Sequence, residues 1–398
     1  MTSDSQTLND VCEFIVDCLH NTAPIQEDGY PLIRTPNIGK GRLDLIDVYR
    51  VSEETYQIWT RRAIPEPGDL ILAREAPAGN IAIVREGEKV CLGQRTVHLR
   101  PNQHKVDPHF LCYFLLTPNA QGKLLANETG ATAKHVNMKD IRKLELGRLP
   151  NLGIQRRSAA ILAAYDDLIE NNRRRMALLE ESARLLYREW FVRLRFPGHE
   201  HTRIVDGLPV GWHAHVLGDL CVEIREQVMP DSVEPDTPYI GLEHMPRRSI
   251  TLNDWGFATD VSSTKHRFRE GEILFGKIRP YFHKVGFALI DGIVSSDAIV
   301  IRANQENARP LLLMTVSSDE FVATTAQEMK EGSKMPRADW KQMQQFPVAV
   351  PTEGVLSSFN EVIAPILDQL KALSFANQKL RTARDLLLPR LMSGEIEV

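Results

Sequence analysis

The fold class predicted by this 398-residue sequence is α+β: two repeated domains, each a mixed sheet with helices, joined by two long antiparallel helices that form a coiled coil with pseudo-twofold symmetry. Three observations lead there: strand-turn-strand segments that recur in the second half, short motifs that recur at the same distance, and two helical stretches with sustained heptad spacing. An internal repeat of long period takes precedence over local readings, because it dictates the architecture.

The strand segments come first. PGDLILAREAPAGNIAIVREG (67–87) and REGEILFGKIRPYFHKVGFALIDG (269–292) share one form, and Gly68 and Gly271 lie 203 positions apart. After each follows an alternating run, TVHLRP from Thr96 and DAIVIRA from Asp297, that suits a half-buried strand. TGATAKHVNMKDIRKLELGRLP (129–150) then resembles EGSKMPRADWKQMQQFPVAVP (331–351) in form, with Gly130 and Gly332 lying 202 apart.

The helical stretches continue the period. Heptad positions Ile154, Ile161, Leu168, Arg175 and Ser182, beside Arg157, Ala164, Asn171, Leu178, Leu185 and Val192, have counterparts 202 residues later. Those are Leu356, Ile363, Leu370, Asn377 and Arg384, beside Phe359, Ile366, Leu373, Leu380 and Leu387. Such spacing predicts helix pairing along a seam; two amphipathic helices, each packed on its own domain, are the other reading. If the pair is antiparallel, Asn171 is expected opposite Asn377 and Arg175 opposite Leu373. Pro365 is expected to delay the straight part of the second helix to about Ile366, and Pro389 to end it. The order is therefore domain (1–150), helix (151–195), domain (196–352), helix (353–398), with RFPGHE opening the second half. At 1.5 Å per residue such helices are ~50–60 Å long. That is a useful scale, since paired reading heads on DNA sit about one turn, ~34 Å, or a multiple apart.

Composition narrows the class. Apolar residues make up 43% and charged residues 25%, with no apolar run near the ~20 residues of a membrane helix. The opening MTSDSQTLND lacks the basic and apolar regions of a secretory signal, so a cytoplasmic protein is expected. Five scattered cysteines without a C-x-x-C pair read as reduced thiols. The net charge of −4 means that any grip on nucleic acid rests on local basic groups or on a partner. Enzyme signatures are missing: no phosphate-binding G-x-x-x-x-G-K-[ST] loop, with GATAKH at 130 failing the spacing, and no Asn-Pro-Pro-aromatic motif. Pro235-Asp236 lies too far from Glu328-Met329-Lys330 for a nuclease hairpin, and His199-Glu200-His201 and His213-Ala214-His215 lack further zinc ligands. Neither a metal nor a cofactor is expected.

Taken together, NQKLRTARDLLLPRLMSGEIEV (377–398), ILAAYDDLIENNRRRMALLEESARLLYREWF (161–191), and the frames GDLILAR, GEILFGKIRP and LGQRTVHLRP resemble the specificity subunits of type I restriction-modification systems. The resemblance covers nearly the whole chain. It implies a non-catalytic subunit with two target recognition domains, each for one half of a bipartite, asymmetric double-stranded DNA site, in defence against foreign DNA. It also implies two antiparallel helices that dock methyltransferase subunits, with translocating restriction subunits joining later; methylation and ATP-dependent cleavage then reside in those partners. The opening VCEFIVDCLHNTAPIQEDGYPLIRTPNIGKG departs from the pattern, lacking the Trp seen in VGWHAHVLGDL. A coiled-coil scaffold that pairs proteins without reading DNA is the alternative.

Arg, Lys, Asn and Gln in loops match base edges and phosphates, so equivalent loops of the two halves supply the candidates. In the first half they are Arg34, Asn37, Lys40, Arg42, Arg74, Gln94, Arg95, Lys134, His135 and Asn137. In the second they are Glu243, His244, Arg247, Arg248, Lys277, Arg279, Tyr281, His283, Lys284, Ser333, Lys334 and Arg337. GKIRPYFHK (276–284) is the densest of these stretches; a hairpin tip with Tyr281 and Phe282 packed inward is the competing reading. Arg173, Arg174 and Arg175 suit a solvated helix face, or backbone contact with an unread spacer.

Overall fold

Leu70, Ile71, Leu72 and Ala73 are all buried, and a strand buried on both faces needs a layer on each side. The computed structural model, which describes residues 6–46, 48–126, 135–327 and 336–398, supplies those layers twice. The chain divides into unit 1 (Met1–Ile169 with Lys379–Val398) and unit 2 (Glu170–Gln378).

The strands of unit 1 are β1 (Gln6–Thr7), β2 (Cys12–Asp17), β3 (Tyr30–Ile33), β4 (Gly41–Arg42), β5 (Arg50–Val51), β6 (Leu70–Ala73), β7 (Ile81–Ile83), β8 (Cys91–Leu92), β9 (Thr96–Pro101) and β10 (Glu145–Gly147). Its short helices are α1 (Leu8–Val11), α2 (Glu53–Trp59), α3 (Pro108–Leu115), α4 (Pro118–Leu125) and α5 (Met138–Arg142). Sequence chemistry sets their starts: Ser52, Asp107 and Thr117 cap α2, α3 and α4, and Pro follows the last two where an N–H is not needed. The main sheet runs β2-β9-β6-β7-β4, antiparallel except for the parallel β4–β7 pair. Leu70 and Leu72 face a core with Phe110, Leu111 and Leu115 of α3, whereas Ile71 and Ala73 face Ile33, Ile38 and Leu92 around the small sheet β5-β3-β8.

Unit 2 repeats this design. After a hairpin, β11 (Ile204–Val205) and β12 (Leu208–Pro209), its strands are β13 (His213–Val216), β14 (Cys221–Ile224), β15 (Gln227–Val228), β16 (Pro238–Ile240), β17 (Thr251–Leu252), β18 (Gly256–Phe257), β19 (Lys265–Phe268), β20 (Ile273–Gly276), β21 (Val285–Ala288), β22 (Gly292–Val294), β23 (Ala298–Ala303) and β24 (Pro347–Val350). The order β14-β23-β20-β21-β17, again with only the last pair parallel, matches unit 1 strand for strand. The second sheet is larger, β15-β19-β22-β16-β18, and β13 pairs with β24 as β1 pairs with β10. An ion pair recurs as well: Arg100 on Asp69 at 2.8 Å and Arg302 on Glu272, each carboxylate also capping a turn by accepting the N–H of Glu66 or Arg269. The departure expected at the opening is smaller than the missing Trp suggests. LNDVC (8–12) occupies the place of LGDLC (217–221), with Asp10 accepting from Thr7 N at 2.9 Å and Asp219 from Val216 N at 3.1 Å.

Two long helices pass from one unit into the other, α6 (Leu152–Tyr187, followed by a π-helical turn, Arg188–Val192) and α11 (Glu353–Met392), with the short helices α7 (Leu217–Leu220), α8 (Arg309–Val316), α9 (Asp319–Gln327) and α10 (Trp340–Met343) of unit 2 between them in the chain. Asn151 Oδ1 caps α6 by accepting from Ile154 N at 3.0 Å. Within unit 1 the two helices run antiparallel, with Asp166 paired to Arg384 at 2.6 Å and Arg157 donating to the Val398 carbonyl at 2.9 Å. Within unit 2 they do so again, with Asn172 Nδ2 donating to Asn377 Oδ1 at 3.0 Å and Ser374 lying against Met176. Leu391 and Met392 are buried with Leu8, Val11, Phe110 and Leu162, so the leucine-rich tail closes the core of unit 1.

The heptad seam of α11 stands as expected, with Leu356, Ile363, Leu370 and Asn377 buried. That of α6 is displaced by one residue: Gln155, Leu162, Ile169, Met176, Ala183 and Trp190 are buried, whereas Leu168, Leu178, Leu185 and Val192 are exposed, Leu178 by 69%. The cause is polar seam chemistry. Gln155 accepts from Asp107 N and donates to the Pro150 carbonyl, while Glu180 accepts from Ser249 Oγ, Thr251 Oγ1 and Ile250 N. A search for apolar spacing passes over such positions. Asn171 is accordingly exposed, and its neighbour Asn172 meets Asn377. Nor does Pro365 interrupt α11: it is exposed, where a carbonyl left without its N–H partner can turn to water. Pro389 lies within α11, which continues to Met392.

Cysteine pairs introduced into the full chain test this register. Asn172→Cys with Asn377→Cys should cross-link on mild oxidation, read as a mobility shift on a non-reducing gel, while Asn171→Cys with Asn377→Cys should not. The opposite outcome would restore the displaced seam.

Candidate nucleic-acid interface

At one corner of each unit, connections from both sheets meet. In unit 1, Arg74 N donates to the Arg95 carbonyl at 2.9 Å and Val136 N to the Arg74 carbonyl at 3.0 Å. Gly93 N reaches the Ile33 carbonyl at 2.8 Å, and Asn80 Nδ2 the Ile38 carbonyl at 2.8 Å. These bonds gather the β3–β4 connection, the β6–β7 turn, the β8–β9 turn and the segment entering α5. Unit 2 builds the same corner. Lys277 N donates to the Asp297 carbonyl at 2.7 Å, Ala338 N to the Lys277 carbonyl at 2.9 Å, Arg279 N to the Pro336 carbonyl at 2.9 Å and Ser295 N to the Ile240 carbonyl at 3.0 Å. Isolated bridges close both, Glu75 with His135 and Ile278 with Arg337.

Backbone strain concentrates there. Among the described residues, the non-glycine positions with left-handed φ are Ala76, Arg95, Arg248, Arg279 and His283 at these corners, and only Leu194 and Asp206 elsewhere. Such conformations persist where surrounding contacts over-determine them, and they favour functional sites.

Most predicted residues come together at the corners, with different duties. Asn37 Oδ1 accepts from Arg34 N at 3.1 Å, and His244 Nδ1 accepts from Gly241 N at 2.9 Å, so the two residues hold equivalent turns. Glu243, exposed, folds over Gly241, where a Cβ would lie 2.1 Å from its Oε1. Arg95 pairs with Glu75 at 2.9 Å, Arg337 with Asp297 at 3.2 Å and Arg248 with Asp319 at 2.9 Å. Arg74 Nε donates to the Val136 carbonyl, Gln94 Nε2 to the His20 carbonyl and Lys277 Nζ to the Ser296 carbonyl. Asn137 precedes α5 without a side-chain capping bond, His135 is half-buried, and Lys40 is exposed. Tyr281 is 53% exposed, against the inward-packed reading, while Phe282 is half-buried beneath it.

Three side chains are committed inside the fold. Arg42 pairs with Asp167 of α6, which also takes Arg85 at 3.2 Å. His283 is 6% exposed, its Nε2 lying 2.8 Å from the Ser317 carbonyl, and Lys284 donates to the Leu242 carbonyl. Burial pushes the pKa of His283, Lys277 and Lys284 down from ordinary values. Lys134, Ser333 and Lys334 lie outside the described residues, as do Gly130, Gly332 and Glu328-Met329-Lys330. Arg173, Arg174 and Arg175 are exposed on α6, with Arg174 paired to Glu170 at 3.0 Å.

Two aromatic residues absent from the sequence-level set complete the corners. The Arg34 guanidinium carbon lies 4.2 Å from the ring centroid of Tyr49, and that of Arg247 lies 4.1 Å from Phe282, which Arg279 also approaches at 5.9 Å. Phe282 adjoins the predicted turn and was within reach of sequence reasoning. Tyr49 stands 15 residues from Arg34, and no spacing rule joins them. Among the described residues, no group of His, Cys, Asp and Glu is arranged to hold a metal, and no helix is long and apolar enough to cross a membrane.

Comparison with known proteins agrees with this fold. Residues 2–181 match the family model for the type I restriction modification DNA specificity domain. The chain is 21% identical over 370 residues to the MjaIX type I restriction enzyme specificity subunit of Methanocaldococcus jannaschii, covering 87% of this chain and 82% of that protein. It is 25% identical over 303 residues to the EcoDI specificity subunit of Escherichia coli, covering 69% and 65%. Among solved structures, the type I system S subunit from M. genitalium shares the fold, with a TM-score of 0.59 at 15% identity over 98% of this chain and 95% of that one. The relatives that this chain resembles are specificity subunits of DNA restriction enzymes. The chain is similar to the specificity subunits of type I restriction-modification systems over most of its length, and residues 2–181 match their DNA specificity domain.

Buried His283 predicts a pH dependence. Because its folded pKa is lowered, the unfolded chain binds the extra proton between the folded value and the ordinary ~6.5. Stability from this group is therefore full above about pH 6.5 and declines as pH falls. Thermal melts at pH 7.5 and 5.5 should show a drop that His283→Asn reduces, Asn being suited to the left-handed φ of +54°.

Proposed function

We propose that this chain reads a bipartite, asymmetric double-stranded DNA site, one half at each corner, and docks methyltransferase and restriction subunits that carry out the chemistry. In this reading residues 1–150 and 196–352 are the target recognition domains, and the helices of 151–195 and 353–398 set their spacing and offer faces to the partners. The observation that carries it is the repeated corner: one backbone frame displays Arg74, Arg95 and His135 in unit 1 but Lys277, Asp297 and Arg337 in unit 2. A shared frame with unlike side chains suits two half-sites of unlike sequence.

The net charge of −4 fits a division of labour in which partners supply much of the phosphate grip. S-adenosylmethionine and ATP are then bound by those partners, in the cytoplasm where the DNA lies. Exposed Leu178 and Leu185 on α6, and Val192 in the π-helical turn after it, suit docking better than solvent.

Co-purified with its methyltransferase subunit and supplied with S-adenosylmethionine, the chain should direct adenine methylation to one split sequence, mapped by modified-base sequencing. Methylation without sequence preference, or at a single continuous motif, would contradict the proposal.

A further inference from the structure

We propose that Arg34 and Arg247 each read a guanine, one per half-site, and that Tyr49 and Phe282 are positioning residues holding the two guanidinium groups ready. The inference rests on the DNA-recognition reading and specifies which contacts carry its selectivity.

Both arginines are exposed and lie on equivalent connections, Arg34 at the start of the β3–β4 connection and Arg247 further along the β16–β17 connection. Neighbouring cations spend their donors on carboxylates: Arg95 on Glu75, Arg248 on Asp319, Arg337 on Asp297. Arg34 and Arg247 have no carboxylate within ion-pair distance among the described residues, and each lies instead over an aromatic ring, at 4.2 and 4.1 Å.

The difference is chemical. An ion pair consumes N–H donors, whereas a ring attracts the cation through its π face and leaves the fork of donors unspent. Guanine presents O6 and N7 in the major groove at the spacing of that fork, and this bidentate pairing is the commonest specific contact of arginine with a base. Holding the side chain before DNA arrives also reduces the rotamer freedom lost on binding. Tyr49 is itself exposed and Phe282 half-buried, so both cation–ring pairs are reachable from solvent. Arg279, at 5.9 Å from Phe282, is held more loosely and suits a phosphate contact.

The experiment uses the full chain in complex with its methyltransferase subunit and duplexes carrying the methylated sequence. Each guanine is replaced in turn by 7-deazaguanine, which lacks the N7 acceptor, and binding is followed by fluorescence anisotropy at fixed salt. One guanine in each half should lose about 5- to 150-fold in affinity on replacement. Arg34→Lys, which loses the planar fork of donors, should reduce that penalty in one half only, and Arg247→Lys in the other. Tyr49→Leu and Phe282→Leu should shrink the penalty in their own half, while Tyr49→Phe and Phe282→Tyr, which keep a π face, retain it. A penalty unchanged in both lysine variants, or ring variants that weaken all duplexes equally, would overturn the proposal. If a leucine variant fails to fold, as read by its melt, the aromatic exchanges and the lysine variants still decide the question. Preferential binding to the methylated sequence without any 7-deazaguanine penalty would defeat this inference and spare the DNA-recognition reading; no preferential binding would defeat that reading itself.

Discussion

Burial of β6 and β20 on both faces is the constraint from which the other features follow. A strand whose successive side chains all leave water demands a layer on each side, and the chain meets that demand with helices on one and a second sheet on the other. Connections between layers then have to pass the end of the central strand. There the β6–β7 and β20–β21 turns meet the β3–β4 and β16–β17 connections, and loop backbone is satisfied by other loops. Stable layers thus produce a rigid corner whose exposed side chains are free to vary, which is what a recognition surface needs.

The long helices join this system through polar groups as well as apolar ones. Asp166 is buried between Tyr113, which donates at 2.7 Å, and Arg384 at 2.6 Å, and Glu180 is buried against the start of β17. Removing one member of such a buried pair typically costs about 3–5 kcal/mol, because the other charge is left uncompensated. Apolar seams tolerate sliding by a turn; these carboxylates have partners at one height only. In each unit, therefore, the helices are registered against the sheets by hydrogen bonds and held there by leucine, phenylalanine and methionine.

Legibility in the sequence followed the same physics. The repeat of β6–β7–β9 in β20–β21–β23 was readable because period-two alternation and Gly68 and Gly271 survive in both copies. The α11 seam was readable because Leu356, Ile363 and Leu370 are apolar and buried. The α6 seam was misread by one residue, because Gln155, Asp166 and Glu180 are buried there while Leu168, Leu178 and Leu185 are not. At the corners, residue type indicated basic loops, but it did not distinguish Arg34 and Arg247, with no carboxylate in ion-pair distance among the described residues, from Arg95 and Arg337, which are paired. Nor did it show that His283 is buried or that Asn37 and His244 brace turns. Those distinctions depend on partners far away in sequence.

The central claim is that both corners, and not the opposite ends of the sheets, face DNA. Photo-cross-linking of the chain, in complex with its methyltransferase subunit, to a duplex bearing its methylated sequence, with mass-spectrometric mapping of the adducts, tests it most directly. The account predicts adducts in residues 34–40, 74–80 and 94–96 of unit 1 and in 243–248, 277–284 and 336–338 of unit 2. Adducts confined to one unit, or centred on the Arg267–Arg269 surface of β19, would contradict it.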